Sequence, residues 1–135
     1  MTLTDQLRRD EGVAHLMYTD PMGLPTIGVG HNLLIPISDR AIEQILADDI
    51  SASYAACRHR FEWFEGLSEC RRGVILNMAF NLGVDGLAEF RHMLGFVADS
   101  RWDEAADAML DSLWARQVPL RAGRLAAQMR QDIWH

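Results

Sequence analysis

One segment limits the possible folds of this chain more than any other. From Val74 to Leu82 nearly every residue is apolar, so a helix formed there is apolar on all sides. Ser68 precedes the segment and Gly83 follows it, and these residue types commonly begin and end helices. A helix without a polar face has to be surrounded by other elements. Because 135 residues suffice for one such core and not for two ordinary domains, we predict one domain with this helix at its centre.

Helical patterns also occur before and after the central segment. A hydroxyl-rich start and Gly12 bound a short helix over residues 3–11. Ser38 begins a long amphipathic helix with apolar residues at helical spacing. Ser100 opens a sequence similar to a capping box, and Pro119 suits the first turn of a last helix. The chain is therefore predicted to be mostly helical.

A small hairpin is the one predicted β element. Residues 15–18 and 24–29 have the composition of two short strands. Asp20 and Gly23 lie between them at positions that a type I turn favours. The predicted fold class is therefore α+β, mainly α.

The charge of the chain narrows its range of partners. The net charge is −6 and lysine is absent, so we expect no nucleic-acid partner. Residues 112–131 nevertheless contain four arginines and no carboxylate: Arg116, Arg121, Arg124 and Arg130. This segment is a candidate site for an anionic polymer or a catalytic carboxylate, and a solvated helix face explains it equally well.

Targeting and metal-binding signals are not found. No apolar run reaches the roughly 18–20 residues of a membrane span, and the first residues do not resemble an export signal. We expect a cytoplasmic protein without stable membrane association. Cys57 and Cys70 are interpreted as packing residues. Together with His59 and His92 they lack the spacing of zinc ligands, so we predict neither a metal nor a cofactor.

Two carboxylates near the start of the chain suit the hydrolysis of a glycosidic bond. That reaction uses one protonated carboxyl group as acid and one ionised carboxylate as base or nucleophile. Glu11 ends the predicted first helix, where the negative end of the helix dipole disfavours its charged form. Asp20 lies in the predicted turn, where water and backbone donors favour ionisation. Glu11 is the candidate acid and Asp20 the candidate base.

The second predicted strand adds two further candidates. Thr26 and Gly30 fall on one face of this strand, where bare backbone allows a ligand to approach closely. The Thr26 hydroxyl is placed to orient a water molecule against Asp20. Taken one by one, these residues also fit an ordinary helix end, an ordinary turn and ordinary turn glycines.

The order of these residues resembles a known active-site segment. Leu7-Arg8-Arg9-Asp10-Glu11-Gly12 is followed by Tyr18-Thr19-Asp20 and then by Gly23-Leu24-Pro25-Thr26-Ile27-Gly28-Val29-Gly30-His31. The spacing of glutamate, aspartate and threonine, with the last string, is similar to that of the phage-type lysozymes, glycoside hydrolase family 24. The similarity continues through Asn77–Gly83, Arg101–Ala106 and Pro119–Arg124.

This resemblance implies a lysozyme-like fold with two lobes. A small N-terminal lobe with the hairpin and active site would cover about residues 12–37. A connecting helix would span about residues 38–58. A helical C-terminal lobe would cover about residues 59–135 and pack with the N-terminal helix 3–11.

The resemblance also implies the reaction and the site. Such enzymes hydrolyse the β-1,4 bond between N-acetylmuramic acid and N-acetylglucosamine with inversion, which assigns acid, base and water-orienting roles to Glu11, Asp20 and Thr26. Gly30, Phe80 and Arg121 match substrate-site positions, Arg121 as the partner of the glutamate. His31 and Asp49 match a structural histidine–carboxylate pair. A core position explains Phe80 more simply, since an aromatic residue on an all-apolar helix is more often buried than a sugar contact.

The expected partners follow from the same comparison. The polymer would be the glycan strands of bacterial peptidoglycan, attacked by a monomer that stays in the cytoplasm of the bacterial cell until release. A separate membrane-opening partner would allow that release. The segment between Leu34 and Ser38 is shorter than in many relatives, which leaves the sugar contacts of that lobe undefined.

Three other functions stay open at this stage. A lytic transglycosylase would also use a glutamate acid, but Asp20 and Thr26 favour hydrolysis. A wall-binding module or a cell-puncturing virion component would need little catalysis. The arginine-rich C-terminal segment with Trp134 has features of a membrane-disrupting helix, although a packed amphipathic helix explains it more simply.

Overall fold

The computed structural model describes residues 1–135 and confirms the mainly helical α+β class. Seven α-helices and three short strands follow one another, with one 3-10 turn at Phe64–Gly66. Their order is α1 (Leu3–Glu11), β1 (Ala14–Thr19), β2 (Pro25–Gly28), β3 (His31–Asn32), α2 (Asp39–Arg60), α3 (Glu69–Ala88), α4 (Arg91–Ala98), α5 (Trp102–Leu110), α6 (Leu113–Gln117) and α7 (Pro119–Gln131). The chain forms two compact units, Met1–Ile45 and Leu46–His135, which share helix α2.

Helix α1 of the first unit begins and ends where the sequence predicts. The Thr2 hydroxyl accepts a hydrogen bond from the Asp5 amide at 3.2 Å, and the Thr2 amide donates to the Asp5 carboxylate at 2.8 Å. These reciprocal bonds form a capping box, which satisfies amide groups that the first turn leaves without a helical partner. At the other end, Gly12 leaves the helix with φ +77°. Glu11 is therefore the last helical residue.

The sheet is a three-stranded antiparallel meander in the order β1-β2-β3. Thr26 of β2 pairs with Tyr18 of β1 on one side and with Asn32 of β3 on the other. The third strand extends the predicted hairpin. The second strand ends at Gly28, and the turn that follows contains Gly30, so the prediction of one strand face shared by Thr26 and Gly30 is wrong.

The reason lies in the backbone of two glycines. Gly28 has φ +67° and Gly30 has φ +65°, both in the left-handed region that extended strands do not use. Alternation of side chains across a strand stops where the strand stops. The glycines end strand β2 and turn the chain into β3.

Helix α2 starts directly after Ser38, as predicted. The Ser38 hydroxyl accepts a hydrogen bond from the Ala41 amide at 3.2 Å, which caps the helix. The helix then continues for 22 residues to Arg60.

Helix α3 forms the core of the second unit, as its apolar surface predicts. Val74, Ile75 and Met78 are fully buried, and α3 packs against α7. Ser68 caps the helix by accepting the Arg71 amide. Gly83, with φ +74° and ψ +159°, interrupts the helical conformation and leaves a short helical segment after it.

The helices after α3 complete this core. Helix α5 packs against α4 and α7, and Pro119 occupies the predicted first turn of α7. The predicted capping box at Ser100 is wrong. Ser100 takes a left-handed conformation with φ +58°, and Arg101 becomes the N-cap without a side-chain capping bond. Helices α4 and α6 were not predicted.

A polar clasp holds the end of α7 against the start of α3. The clasp consists of Ser68, Arg71, Trp102 and Asp132. Arg71 donates to the Met129 carbonyl at 2.8 Å, pairs with Asp132 at 3.3 Å and lies over the Trp102 ring at 4.1 Å. The Ser68 hydroxyl donates to Asp132. A guanidinium at a helix C-terminus satisfies carbonyls that lack helical partners.

Both cysteines are free thiols in the second unit. Cys57 is completely buried, and this burial raises the pKa of its thiol to about 11. Cys57 is therefore a packing residue that stays neutral at ordinary pH, as interpreted from the sequence. None of the helices is both long and apolar enough to cross a bilayer.

Candidate active site

Glu11 presents its carboxyl group at the junction of a helix and a sheet. It is the final residue of α1, and Gly12 turns the chain away towards β1. As a residue, Glu11 is exposed to solvent. Its place at the helix end is the one predicted from the sequence.

The Asp20 carboxylate is fixed by its own turn. Oδ1 accepts hydrogen bonds from the Met22 and Leu24 amides, each at 2.8 Å. The turn is closed by two further backbone bonds, from the Gly23 amide to the Asp20 carbonyl and from the Asp20 amide to the Leu24 carbonyl, both 2.9 Å. Because both amides bind Oδ1, the other oxygen, Oδ2, is the one left to take a proton.

Thr26 is buried with its hydroxyl next to the same turn. Only 4% of the residue is exposed, and Oγ1 donates to the Leu24 carbonyl at 3.0 Å. With its own hydrogen used in this bond, the hydroxyl oxygen can only accept further hydrogen bonds. The backbone of Leu24 thus joins Asp20 and Thr26, although no sequence signal marked this residue.

Gly30 touches Glu11. A Cβ atom built on the Gly30 backbone would lie 2.8 Å from Oε2 of Glu11 and 3.1 Å from Cδ. The turn after β2 therefore brings together two of the predicted site residues, which are 19 positions apart in the sequence. From the sequence, Gly30 was predicted to let a ligand approach the backbone; in the structure it packs against Glu11, the candidate acid.

Phe80 and Arg121 line one groove in the second unit. The groove has a volume of about 390 Å³, and its apolar lining includes Leu46, Ile50, Leu76 and Trp134. Phe80 is 48% exposed, so it is not the core residue that its all-apolar helix suggests. An exposed aromatic ring beside a cationic group is a surface on which a sugar ring can pack.

Arg121 is held by Asn77, a residue without a functional signal of its own in the sequence. Its Nε donates to the Asn77 side-chain oxygen at 2.7 Å, and its Nη2 donates to the Asn77 carbonyl at 3.1 Å. The pairing of Arg121 with Glu11 stays a prediction. So does the pairing of His31 with Asp49; the Nε2 atom of His31 is buried without a hydrogen-bond partner.

Together these features define a class of protein. A small antiparallel sheet carries an aspartate in a closed turn, a helix end carries a glutamate, and a helical unit surrounds one central apolar helix. This is the mainly α fold of lysozyme-like proteins. Comparison with known sequences agrees: the model of the family described as Phage lysozyme matches residues 8–130, so the chain belongs to the phage lysozyme family.

The relatives include a much longer phage spike protein and lysozymes of similar length. The pre-baseplate central spike protein Gp5 of Enterobacteria phage T4 is 31% identical over 93% of this chain, which spans only 27% of that protein. Probable T4-type lysozyme 1 of Dictyostelium discoideum is 28% identical over 92% of the chain and 91% of its own length. Probable T4-type lysozyme 2 of the same organism is 26% identical with similar coverage. Family membership makes the protein a lysozyme hydrolase.

Proposed function

We propose that the protein is an endolysin-type muramidase that cleaves the glycan strands of bacterial peptidoglycan. The bond broken is the β-1,4 linkage between N-acetylmuramic acid and N-acetylglucosamine. The observation that carries the proposal is the Asp20 turn, in which two amides bind Oδ1 and leave Oδ2 to act. The spacing of Glu11, Asp20 and Thr26 also resembles that of the phage-type lysozymes, the family to which the chain belongs.

In the proposed reaction the carboxyl group of Glu11 acts as the acid and that of Asp20 as the base. Glu11 donates its proton to the bridging oxygen while the bond from that oxygen to the anomeric carbon breaks. Asp20 Oδ2 accepts a proton from a water molecule, whose oxygen bonds to the anomeric carbon from the opposite face. The product has a reducing end of inverted configuration. Glu11 has lost one proton and Asp20 has gained one, so the protons balance.

Thr26 is proposed to hold that water. Its hydroxyl hydrogen is used by the Leu24 carbonyl, so its oxygen accepts a hydrogen bond from the water. This orients the water lone pair towards the sugar while Asp20 removes the other hydrogen. Phe80 and Arg121 are proposed as substrate-binding residues because both line the groove of about 390 Å³ in the second unit.

The test is mass spectrometry of the soluble fragments that wild-type protein and Glu11→Gln release from purified peptidoglycan. The proposal expects hydrated, reducing muramic acid ends from the wild type alone. Anhydro ends would identify a lytic transglycosylase instead. Equal fragment yields from both proteins would exclude Glu11 as the acid, and no fragments from either would indicate a wall-binding protein.

A second candidate role is that of the lysozyme part of a virion spike. The identity of 31% to a phage baseplate spike protein favours it. The enzymatic chemistry would be the same, but the protein would be built into particles. Mass spectrometry of purified particles, with the free protein as reference, tests this role; its absence from particles would leave the free endolysin.

A further inference from the structure

The contact between Gly30 and Glu11 separates two reasons for having a glycine in this turn. The first reason is the backbone, because Gly30 has φ +65°, a conformation that other residues adopt at a cost. The second reason is space, because an added Cβ would meet Oε2, Cδ and Cγ of Glu11 at 2.8, 3.1 and 3.2 Å. Distances this short require something to move.

Gly28 shows the first reason without the second. Its φ of +67° is nearly the same as that of Gly30, and Gly28 is the last residue of strand β2. A Cβ built on Gly28 would meet nothing within 4 Å. The positive φ strains a replacement at either glycine, but only a replacement of Gly30 reaches the Glu11 carboxyl group.

We propose that Gly30 is a positioning residue for Glu11, and that its missing side chain defines where the carboxyl group of the acid lies. This inference rests on the proposed function, in which Glu11 is the acid. The three atoms nearest to such a Cβ all belong to the side chain of Glu11, which is an exposed residue. Besides straining the backbone at position 30, a side chain there therefore displaces the Glu11 carboxyl group.

The displacement matters for catalysis because proton transfer depends on the distance to the bridging oxygen. A shift of the reacting group by about 1 Å is enough to lower a rate on the order of 100-fold. Binding of the glycan is distributed over many contacts and depends less on this one group. The inference therefore concerns kcat more than KM.

The experiment compares Gly30→Ala with the matched control Gly28→Ala. Both variants are expected to lose thermal stability because both positions have a positive φ. Gly30→Ala is expected to lower kcat on the order of 10- to 100-fold with KM changed less than about threefold, whereas Gly28→Ala retains kcat within about threefold. Equal values of kcat in the two variants would overturn the inference.

A second pair covers the case in which alanine prevents folding. Asparagine accepts the left-handed conformation more readily than alanine, so Gly30→Asn and Gly28→Asn test the same contact with less strain. In both pairs, the ¹³C chemical shift of the Glu11 carboxyl carbon at fixed pH gives a readout independent of turnover. It should change in the Gly30 variants alone; an unchanged shift would contradict the inference.

Glu11→Gln distinguishes this inference from the proposed function. If Glu11→Gln cleaves peptidoglycan at the wild-type rate, Glu11 is not the acid and the proposed function fails. If Glu11→Gln is inactive while Gly30→Ala and Gly28→Ala have equal kcat, the proposed function stands and the positioning role of Gly30 is wrong.

Discussion

Each of the two units of the protein is stabilised in a different way. In Met1–Ile45, Thr26 is the one buried residue, and four glycines have a positive φ: Gly12, Gly23, Gly28 and Gly30. In Leu46–His135, an apolar core runs from Cys57 to Met129, and Gly83 is the one glycine with a positive φ. The first unit is thus defined by turns and local hydrogen bonds, and the second by packing.

This difference separates the residues of the proposed reaction from the main source of stability. The proposed proton transfer needs a carboxylate that is held in position, and the Met22 and Leu24 amides hold Oδ1 of Asp20 within one turn. Free energy of folding comes mainly from apolar burial, which the second unit supplies. Substitutions in the two units should therefore separate activity from stability.

The largest expected effect is on turnover, from Asp20→Asn. An asparagine oxygen can still accept the Met22 and Leu24 amides, so the turn is retained while the base is lost. We expect kcat to fall by roughly 100- to 10,000-fold, measured as reducing ends released from peptidoglycan, with little change in the melting temperature. A variant that keeps more than a tenth of the activity would argue against Asp20 as the base.

The next effect is on stability, from Met109→Ala in α5. Met109 is fully buried, and removal of such a side chain leaves a cavity that costs about 2–5 kcal/mol of unfolding free energy. Met17→Ala in β1 is the matched control, because Met17 is 58% exposed and its loss should cost less than about 1 kcal/mol. Urea denaturation measures both. Equal losses would show that the two units do not differ in packing.

A smaller loss of stability is expected from Arg71→Ala. This change removes the guanidinium from the clasp and leaves carbonyls of α7 and the Asp132 carboxylate without their partner. The expected cost is about 2–3 kcal/mol. Its sequence neighbour provides the control: Arg72 donates to the Glu65 carbonyl at 3.3 Å on the surface, and Arg72→Ala should cost about 0.5 kcal/mol or less. Similar losses of unfolding free energy for the two arginine variants would show that the clasp does not stabilise the protein.

The smallest effect appears at alkaline pH. The Cys57 thiol has a pKa of about 11 in the folded protein, raised by burial from an ordinary value of 9.0. Below pH 9 the thiol is neutral in both states, and its contribution is fully present. As pH rises from about 9 to about 11 the unfolded thiol loses its proton first, so unfolding free energy falls by about 2 kcal/mol.

Cys57→Ala tests this assignment. The variant is less stable at neutral pH because it leaves a small cavity, but it should lack this part of the alkaline loss. Urea denaturation at pH 8 and pH 11 measures the difference between the two proteins. An identical alkaline loss in wild type and variant would show that Cys57 is not the responsible group.

The sequence predicts the elements whose signals are local. Gly12 ends α1, Ser38 precedes α2 and Pro119 begins α7, because capping and turn preferences act within a few residues. The same rules failed at Ser100 and at the end of β2, where the chain adopts left-handed backbone that an alternating pattern does not reveal.

The site divides in the same way. Glu11 and Asp20 were predicted from a helix end and a turn, both local features. The contact of Gly30 with Glu11 and the bond from Arg121 to Asn77 depend on how distant segments pack, and no short-range signal marks them. The approach of Gly30 to Glu11 gives a second reason for a glycine that the sequence alone explained by ligand access.

The most direct test of this account measures two quantities for four variants: the cleavage rate per folded molecule and the unfolding free energy. We expect Glu11→Gln and Asp20→Asn to lose cleavage by more than about 100-fold while their unfolding free energy changes by less than about 1 kcal/mol. Met109→Ala and Arg71→Ala should show the reverse. A Met109→Ala protein that loses cleavage as severely as Asp20→Asn, or an Asp20→Asn protein that cleaves at the wild-type rate, would contradict it.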